Sequence, residues 1–433
     1  MRNPGGRALP VAPQKPVHGL AETALTWCFL GNLLGWGALS DTLGGGIMSE
    51  EPTAYDASMI VVLEGLEAVR KRPGMYVGSV GERGLHHLAF EVAERALDEI
   101  LGGTAGRVEI TLTADGGVRV ADDGPGLPVE HAGHSDGPAL ETWLTALSGG
   151  CGARGDRRSL YGAFFGVGLA VVNALSVRLT AEVRRDGSRW VLEYERAVPV
   201  GVPVRTGPAD GSGTAITFRP DAEIFETLEF SFEALAEHFR ELAFLNRELD
   251  ISLTDDRGPA GPRTARFRFP GGPRDHVAAQ TARAPLHPDV IGFERECPEM
   301  EGTVEVALRW CDSREERVAS YANSRPTLSG GAHEVGFRDG LAAAVNAYAR
   351  EQQLLTPADP DFTPAQLGAG LTAVVSVKLD HPEFEGALHD RLGNGPVRTC
   401  VAEAVREHLA AWLRADTAQA TAVLARIPTA TRH

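Results

Sequence analysis

The sequence predicts an α/β fold, a two-layer α+β sandwich in which helices cover one face of a mixed sheet, followed by a second domain. Three observations predict it. Residues 85–101 carry apolar side chains at helical spacing, residues 108–120 alternate as two strands around an Asp-Gly-Gly turn, and the whole pattern restarts after about residue 270.

The first part of the chain alternates between helices and hairpins. A helix at 62–71 stops before Pro73-Gly74, and a longer one at 85–101 stops at Gly102-Gly103. The longer helix has a polar stripe consisting of His87, Glu91, Glu94, Arg95 and Asp98. Further strands are expected at residues 177–183, 190–194 and 214–218.

The second part predicts a strand at 304–310, a helix at 336–351, a nearly continuous apolar strand at 371–379 and a long helix at 396–427. Between the two parts, residues 256–275 are rich in Gly, Pro and Arg, which indicates a domain boundary.

Composition restricts the functional classes. The chain has 433 residues, 43% of them hydrophobic and 23% charged, as expected for two or three globular domains. A net charge of −16 argues against a large non-specific nucleic-acid surface. Five cysteines without metal-ligand or redox spacing predict reduced thiols in a cytoplasmic protein.

The N-terminal segment contains an uncharged stretch at residues 24–39. It is short for a membrane span and is interrupted by Gly and Asn, so no membrane association is expected. Met48 directly precedes the organised sequence. Residues 1–47 are therefore interpreted as an over-extended start or a disordered leader.

Four short segments predict an ATP pocket: a helical carboxylate at Glu91, an Asp-Gly turn at 122–128, a glycine loop at 162–168 that opens a helix, and a strand threonine, Thr214. Each is weak alone, because a helical Glu is usually solvated, Asp-Gly turns are common, and glycine at a helix start can serve packing only. Their order along the chain makes the combination informative.

These segments closely resemble the B subunit of DNA gyrase and its topoisomerase IV counterpart. The resemblance covers residues 52 to about 428 and includes the segments at 65–78, 171–176, 330–333 and 374–378. It implies a GHKL (Bergerat) ATPase domain at 48–268 and a ribosomal-S5-like transducer domain at 269–433. The family's cleavage (TOPRIM) domain is expected to be absent, so DNA cleavage is not expected from this chain.

The resemblance also implies roles for individual residues. Glu91 matches the general base that activates water, Asp122 the aspartate that binds the adenine amino group, and Thr214 the residue that helps Asp122 to hold an adenine-side water. Tyr55 matches an N-terminal arm residue that reaches the partner's nucleotide in an ATP-closed homodimer. The other positions expected to contact ATP are Arg95, Gly124, Gly126, Gly150, Gly162, Ala163, Phe164, Phe165, Gly166, Val167, Gly168 and His389.

The departures from the family pattern concern the phosphate side. Arg95 stands where the family has the Asn that carries Mg²⁺, and a guanidinium cannot ligate a cation, so a Mg²⁺ requirement is in doubt. Arg95 could pair with Glu91 at i−4, sit on the phosphates, or point to solvent. Ala163, Phe165 and His389 replace a glycine, a polar residue and a lysine of the family.

Two functional hypotheses follow. In the first, the chain is the ATP-binding subunit of a type II DNA topoisomerase, isomerising DNA together with a gyrase A-type subunit. In the second, it is a degenerate paralogue with little ATPase activity that acts through protein–protein contact, for example with a true gyrase B protein. Both involve DNA only indirectly.

Overall fold

A computed structural model describes residues 65–129, 140–147, 168–281, 285–386 and 390–427, all within one unit of the chain, residues 62–433. Its helices are α1 (Gly65–Lys71), α2 (Gly74–Val77), α3 (Glu82–Leu101), α4 (Leu140–Thr145), α5 (Gly168–Ala174), α6 (Phe232–Leu245), α7 (Pro273–Gln280), α8 (Ala332–Glu351), α9 (Pro364–Leu367), α10 (Gly395–Ala415) and α11 (Thr417–Leu424). Its strands are β1 (Val108–Leu112), β2 (Val118–Asp122), β3 (Ser176–Arg185), β4 (Ser188–Glu195), β5 (Val198–Pro199), β6 (Val204–Pro208), β7 (Gly213–Pro220), β8 (Ile251–Asp255), β9 (Arg263–Phe267), β10 (Ile291–Cys297), β11 (Gly302–Trp310), β12 (Arg317–Ala322), β13 (Arg325–Pro326), β14 (Leu371–Leu379), β15 (Phe384–Glu385) and β16 (Arg391–Leu392).

The first half contains the predicted mixed sheet. Its strand order is β5-β4-β3-β7-β2-β1-β8-β9, with β6 beside β4. Strands β1 and β8 are parallel, whereas β2 is antiparallel to both β1 and β7. In this register Ala121 lies opposite Ala215, so the carboxyl end of β2 lies beside the beginning of β7. Asp122 and Thr214 are thereby placed next to each other.

Helix α3 provides the main contact between the helical layer and this sheet. Leu85, Leu88 and Leu97 are completely buried and pack in one hydrophobic cluster with the strands. Each such side chain contributes about 1.5–3 kcal/mol relative to exposure. The same helix also buries Glu91 and Arg95, at 3% and 7% exposure. Glu91 therefore does not lie on a solvated face of the helix.

The second half has its own sheet, in the order β10-β11-β14-β12-β13, and its own hydrophobic cluster. Strand β14 lies between β11 and β12 and is buried along almost its whole length, which explains the continuous apolar sequence that predicted it. Helices α8 and α10 cover this sheet. They approach closely at Gly340, where a Cβ would lie 2.4 Å from the carbonyl oxygen of Ala402.

Two predicted elements need correction. The long helix predicted at 396–427 is two helices, because Asp416 leaves helical geometry and its side chain accepts the N–H of Gln419 as the N-cap of α11. The stretch at 256–275, interpreted as a boundary, contains β9, which pairs with β8 as the last strand of the first sheet. This strand was not predicted because only one of its residues is buried, so its sequence is mostly polar.

The two halves are joined by polar contacts around the β12–β13 hairpin. Asn246, at the end of α6, donates to the Ser324 hydroxyl at 2.9 Å and accepts from the Lys378 ammonium at 2.8 Å. The Tyr321 hydroxyl donates to Glu241 at 2.6 Å. A small apolar cluster lies beside them, formed by Leu245, Val277, Ala307, Tyr321 and Val374. Side chains from both halves thus fix their junction.

No helix in the described part of the chain is long and apolar enough to cross a membrane. The cysteines in these ranges, Cys297, Cys311 and Cys400, are free and buried. Burial raises the pKa of the Cys297 thiol to about 11, which makes it a poor nucleophile.

The junction also contains a carboxyl group with an unusual pKa. Burial raises the pKa of Glu305 from 4.5 to about 7, although the paired Arg247 guanidinium opposes the shift. Between these two values the folded chain binds a proton that the unfolded chain has released. The free energy of unfolding should therefore fall as pH rises through this window.

We expect Glu305→Gln to remove this component of the pH dependence. Urea unfolding between pH 5 and 8 measures it: the slope of unfolding free energy against pH should be flatter in the variant. Glu407→Gln is the control, because Glu407 is 55% exposed and pairs with Arg295 instead of Arg247. Equal slopes in the wild type and Glu305→Gln would contradict the assignment.

Candidate functional site

The centre of the candidate site is the carboxylate of Asp122, the last residue of β2. It is 4% exposed. Its Oδ1 accepts the N–H of Gly124 at 3.0 Å and that of Thr214 at 3.3 Å. Burial raises the pKa of Asp122 above its ordinary range, and the Arg95 guanidinium and these two N–H groups oppose the shift.

Strand β7 approaches the backbone of Asp122 closely. A Cβ on Gly213 would lie 2.2 Å from the Asp122 carbonyl oxygen, and its φ of +141° also favours glycine, so only glycine allows β7 to approach. Next to it, the Thr214 hydroxyl accepts the N–H of Leu127 at 3.0 Å. Thr214 thus holds the loop after Asp122 with its side chain and Asp122 itself with its backbone.

A second arginine fixes the same loop. Arg185, at the end of β3, donates from Nη1 to the Gly126 carbonyl oxygen at 2.6 Å. Gly126 has a φ of +78° and lies against the backbone of Arg184. The loop after Asp122 is therefore held from two strands, β3 and β7.

The second carboxylate of the site is Glu91, in the middle of α3. Its Oε1 lies 3.2 Å from His87 Nε2, one turn earlier on the helix. Its Oε2 accepts the N–H of Gly168 at 3.3 Å, at the beginning of α5. Both oxygens are therefore oriented by neighbours in the part of the chain that is described. The start of α5 at Gly168 also confirms the predicted start of a helix at the end of the glycine loop.

Arg95 lies one turn after Glu91 but points away from it. Its Nη1 lies 3.1 Å from Asp122 Oδ2, and its Nη2 lies 2.7 Å from Glu99 Oε1. Glu99 is itself held by the Thr104 hydroxyl, which donates to its Oε2 at 2.6 Å. The guanidinium therefore bridges two carboxylates, Asp122 and Glu99.

This geometry corrects two of the sequence-based alternatives for Arg95. Its ion pairs are with Asp122 and Glu99, so the predicted pair with Glu91 is wrong. With 7% of its surface exposed, it does not point to solvent either. The i,i+4 spacing that suggested Glu91 applies equally to Glu99, and Asp122 as a partner follows only from tertiary structure.

The structure connects two groups of the predicted set. Arg95, Asp122, Gly124, Thr214 and the loop with Gly126 form one hydrogen-bonded network, and Glu91 is bonded to Gly168. The other predicted positions lie outside the described residues: Tyr55, Gly150, Gly162, Ala163, Phe164, Phe165, Gly166, Val167 and His389. Glu99 is the residue that sequence reasoning missed. Its signal was available, as a carboxylate four residues after Arg95.

The site does not fit a Mg²⁺ ion at the position that the family resemblance implies. Arg95 has only N–H donors and is engaged with two carboxylates. Within the described ranges, no group of three or more His, Cys, Asp or Glu residues could hold a metal ion.

Glu94 connects this helix to the second half of the chain. It neighbours Arg95 on α3, and its Oε2 lies 3.4 Å from Arg325 Nη2, on β13. His238, on α6, approaches the other oxygen at 3.7 Å. Burial raises the pKa of Glu94, but the His238 and Arg325 side chains lower it more, so the net shift is downward. The carboxylate is thus held in its ionised form between the two halves.

Two models of known protein families match parts of this sequence. Residues 81–224 match the family model of histidine kinase-, DNA gyrase B- and HSP90-like ATPases. Residues 272–433 match the DNA gyrase B model. The first match includes Glu91, Arg95, Asp122 and Thr214, and the second covers the separate sheet of the second half.

Curated relatives show the same similarity over most of the chain. The novobiocin-resistant DNA gyrase B protein of Streptomyces niveus is 44% identical over 393 residues, covering 86% of this chain and 58% of that protein. The DNA gyrase B protein of Streptomyces coelicolor is 44% identical over 377 residues, covering 83% and 55%. The chain spans somewhat more than half the length of these relatives.

Solved structures extend the comparison to the fold. The 43K ATPase domain of Thermus thermophilus gyrase B, in complex with an aminocoumarin, is 32% identical with a TM-score of 0.71, covering 84% of this chain and 93% of that one. The topoisomerase IV ATP-binding domain of Francisella tularensis, in complex with a small-molecule inhibitor, is 30% identical with a TM-score of 0.68, covering 84% and 96%. The chain belongs to the DNA gyrase B family, with a GHKL-type ATPase domain followed by the transducer region.

Proposed function

We propose that this chain binds ATP between α3 and the ends of β2 and β7, and that bound ATP controls the pairing of two copies within a type II DNA topoisomerase. The observation that carries the proposal is the Asp122 carboxylate. It is buried and oriented by two backbone N–H groups, and the loop that follows it is held in place by β7 and Arg185. A buried carboxylate with a raised pKa and a specific charged partner is a feature of functional sites.

The two carboxylates divide the site into two ends. Asp122 lies at the end of β2, and Glu91 lies on α3 against the beginning of α5. We place the adenine at Asp122 and the terminal phosphate near Glu91, where the glycine loop joins α5. This placement rests on the family resemblance and on the separation of these two groups.

Glu91 is then the group that removes a proton from the attacking water. His87 and the Gly168 N–H hold its two oxygens, so that the carboxylate is oriented before water arrives. A positioned carboxylate can act as a general base if it stays ionised and reaches the water.

Partners and location follow from the relatives, whose names identify them as DNA gyrase B proteins. We infer a cytoplasmic homodimer that pairs through the N-terminal arm containing Tyr55 and works with a gyrase A-type subunit, with only indirect contact to DNA. We assign no DNA-cleaving step to the described residues. Domain limits at 48–268 and 269–433 remain part of this proposal.

A second candidate is a paralogue that binds nucleotide weakly and acts by pairing with another gyrase B protein. The observation that favours it is Arg95, which occupies Asp122 and cannot carry Mg²⁺. Calorimetric titration of the full chain with a non-hydrolysable ATP analogue, with and without Mg²⁺, separates the two candidates. Micromolar binding supports the ATP-dependent topoisomerase component, and absence of binding in both conditions supports the second candidate.

Glu91→Gln should abolish turnover without abolishing binding. The amide keeps the shape of the carboxylate but cannot accept a proton, so steady-state phosphate release should fall by about 10²-fold or more. Affinity for the ATP analogue should stay within about threefold, as expected for a group that acts mainly in the transition state. Glu82→Gln, on the exposed first turn of the same helix, is the control. Unchanged turnover in Glu91→Gln would exclude Glu91 as the base.

Arg95→Asn should raise Mg²⁺-dependent ATP turnover. It restores an amide oxygen that can ligate the cation and removes a guanidinium that cannot. By comparison with single electrostatic contacts in other enzymes, the gain should be roughly 10- to 100-fold. The matched measurement in EDTA should show no gain. If well-folded Arg95→Asn protein turns over no faster than the wild type with Mg²⁺, Arg95 alone does not limit the site.

A further inference from the structure

The Asp122 carboxylate has little acceptor capacity left. Its Oδ1 accepts from the Gly124 and Thr214 backbone N–H groups, and its Oδ2 accepts from Arg95 Nη1. A carboxylate offers about four lone-pair sites. A purine amino group can therefore bind Asp122 only by sharing Oδ2 with Arg95 or by displacing it.

Displacement is unfavourable because Arg95 is held at both ends. Nη2 donates to Glu99 Oε1 at 2.7 Å, and Glu99 is fixed by the Thr104 hydroxyl. Here both donor and acceptor are charged, whereas a purine amino group would bring only a neutral donor to the carboxylate. Breaking the pair would also leave Asp122, which is 4% exposed, as a buried charge without its counter-ion.

The pair also changes which purines the site accepts. A lone carboxylate is an acceptor only, so it binds a 6-amino group and repels a 6-oxo group. The guanidinium beside it has five N–H groups and, among the described residues, donates to Asp122 and Glu99. A 6-oxo group beside this pair would meet a guanidinium donor, and a 6-amino group would meet an oxygen that already accepts one hydrogen bond from Arg95.

We propose that Arg95 sets the base specificity of this chain, making the site accept 6-oxo purine nucleotides about as well as 6-amino ones. The proposal rests on the proposed function, since it requires a nucleotide base at Asp122. The proposed function predicts that a nucleotide binds, whereas the specificity proposal predicts the ratio of two affinities.

The test is calorimetric titration of the full chain with ADP and with inosine diphosphate, both in EDTA so that metal plays no part. The wild type should bind the two within about threefold of each other. In Arg95→Met, Asp122 is freed as an acceptor, and preference for ADP should rise to about tenfold or more, as expected for a site that reads a hydrogen-bonding group. Arg178→Met, an arginine 58% exposed and paired with Glu193, is the matched control and should keep the wild-type ratio.

Arg95→Gln serves as a second variant if Arg95→Met does not fold. Its shorter, neutral amide cannot bridge Asp122 and Glu99, so the preference for ADP should rise in the same direction. A wild type that already prefers ADP by about tenfold, with no change in the variants, would overturn the specificity proposal while leaving nucleotide binding intact. If neither nucleotide binds to the wild type or to any of the variants, both proposals are overturned.

Discussion

The site depends on how a single buried carboxylate, Asp122, is kept at the end of a strand. A buried charge is unfavourable unless each oxygen is hydrogen-bonded and the charge is balanced. Here the backbone of Gly124 and Thr214 satisfies one oxygen, and Arg95 balances the charge at the other. The close approach of β7 at Gly213 and the burial of Arg95 on α3 both follow from this requirement.

Three neighbouring residues of helix α3 contact three different parts of the molecule. Glu91 contacts the beginning of α5, Arg95 contacts Asp122, and Glu94 contacts Arg325 of the second half. Because a helix is stiff over one turn, a shift of any of these contacts moves the others. The same helix therefore links the proposed nucleotide site to the hairpin at the junction of the two halves through direct contacts.

The sequence alone predicted the elements with a strong hydrophobic pattern, such as strand β14 and helix α3, which contains Glu91. It failed where tertiary context decides. Strand β9 is mostly exposed and reads as a polar linker, and Asp416 interrupts a pattern that stays helical on both sides. The direction of Arg95 could not be predicted, because spacing on a helix offers Glu91 and Glu99 equally and cannot reveal Asp122.

The direction of Arg95 has an electrostatic consequence for the phosphate side. Its positive charge is balanced by Asp122 and Glu99, at the end of the site where we propose that the base binds. A charge so neutralised contributes little field to a triphosphate near Glu91. In the proposed binding mode, the negative charge that develops in phosphoryl transfer would therefore be met by groups other than Arg95. In that mode, a guanidinium in place of the family's amide removes a metal ligand from the phosphate end and adds a donor at the base end.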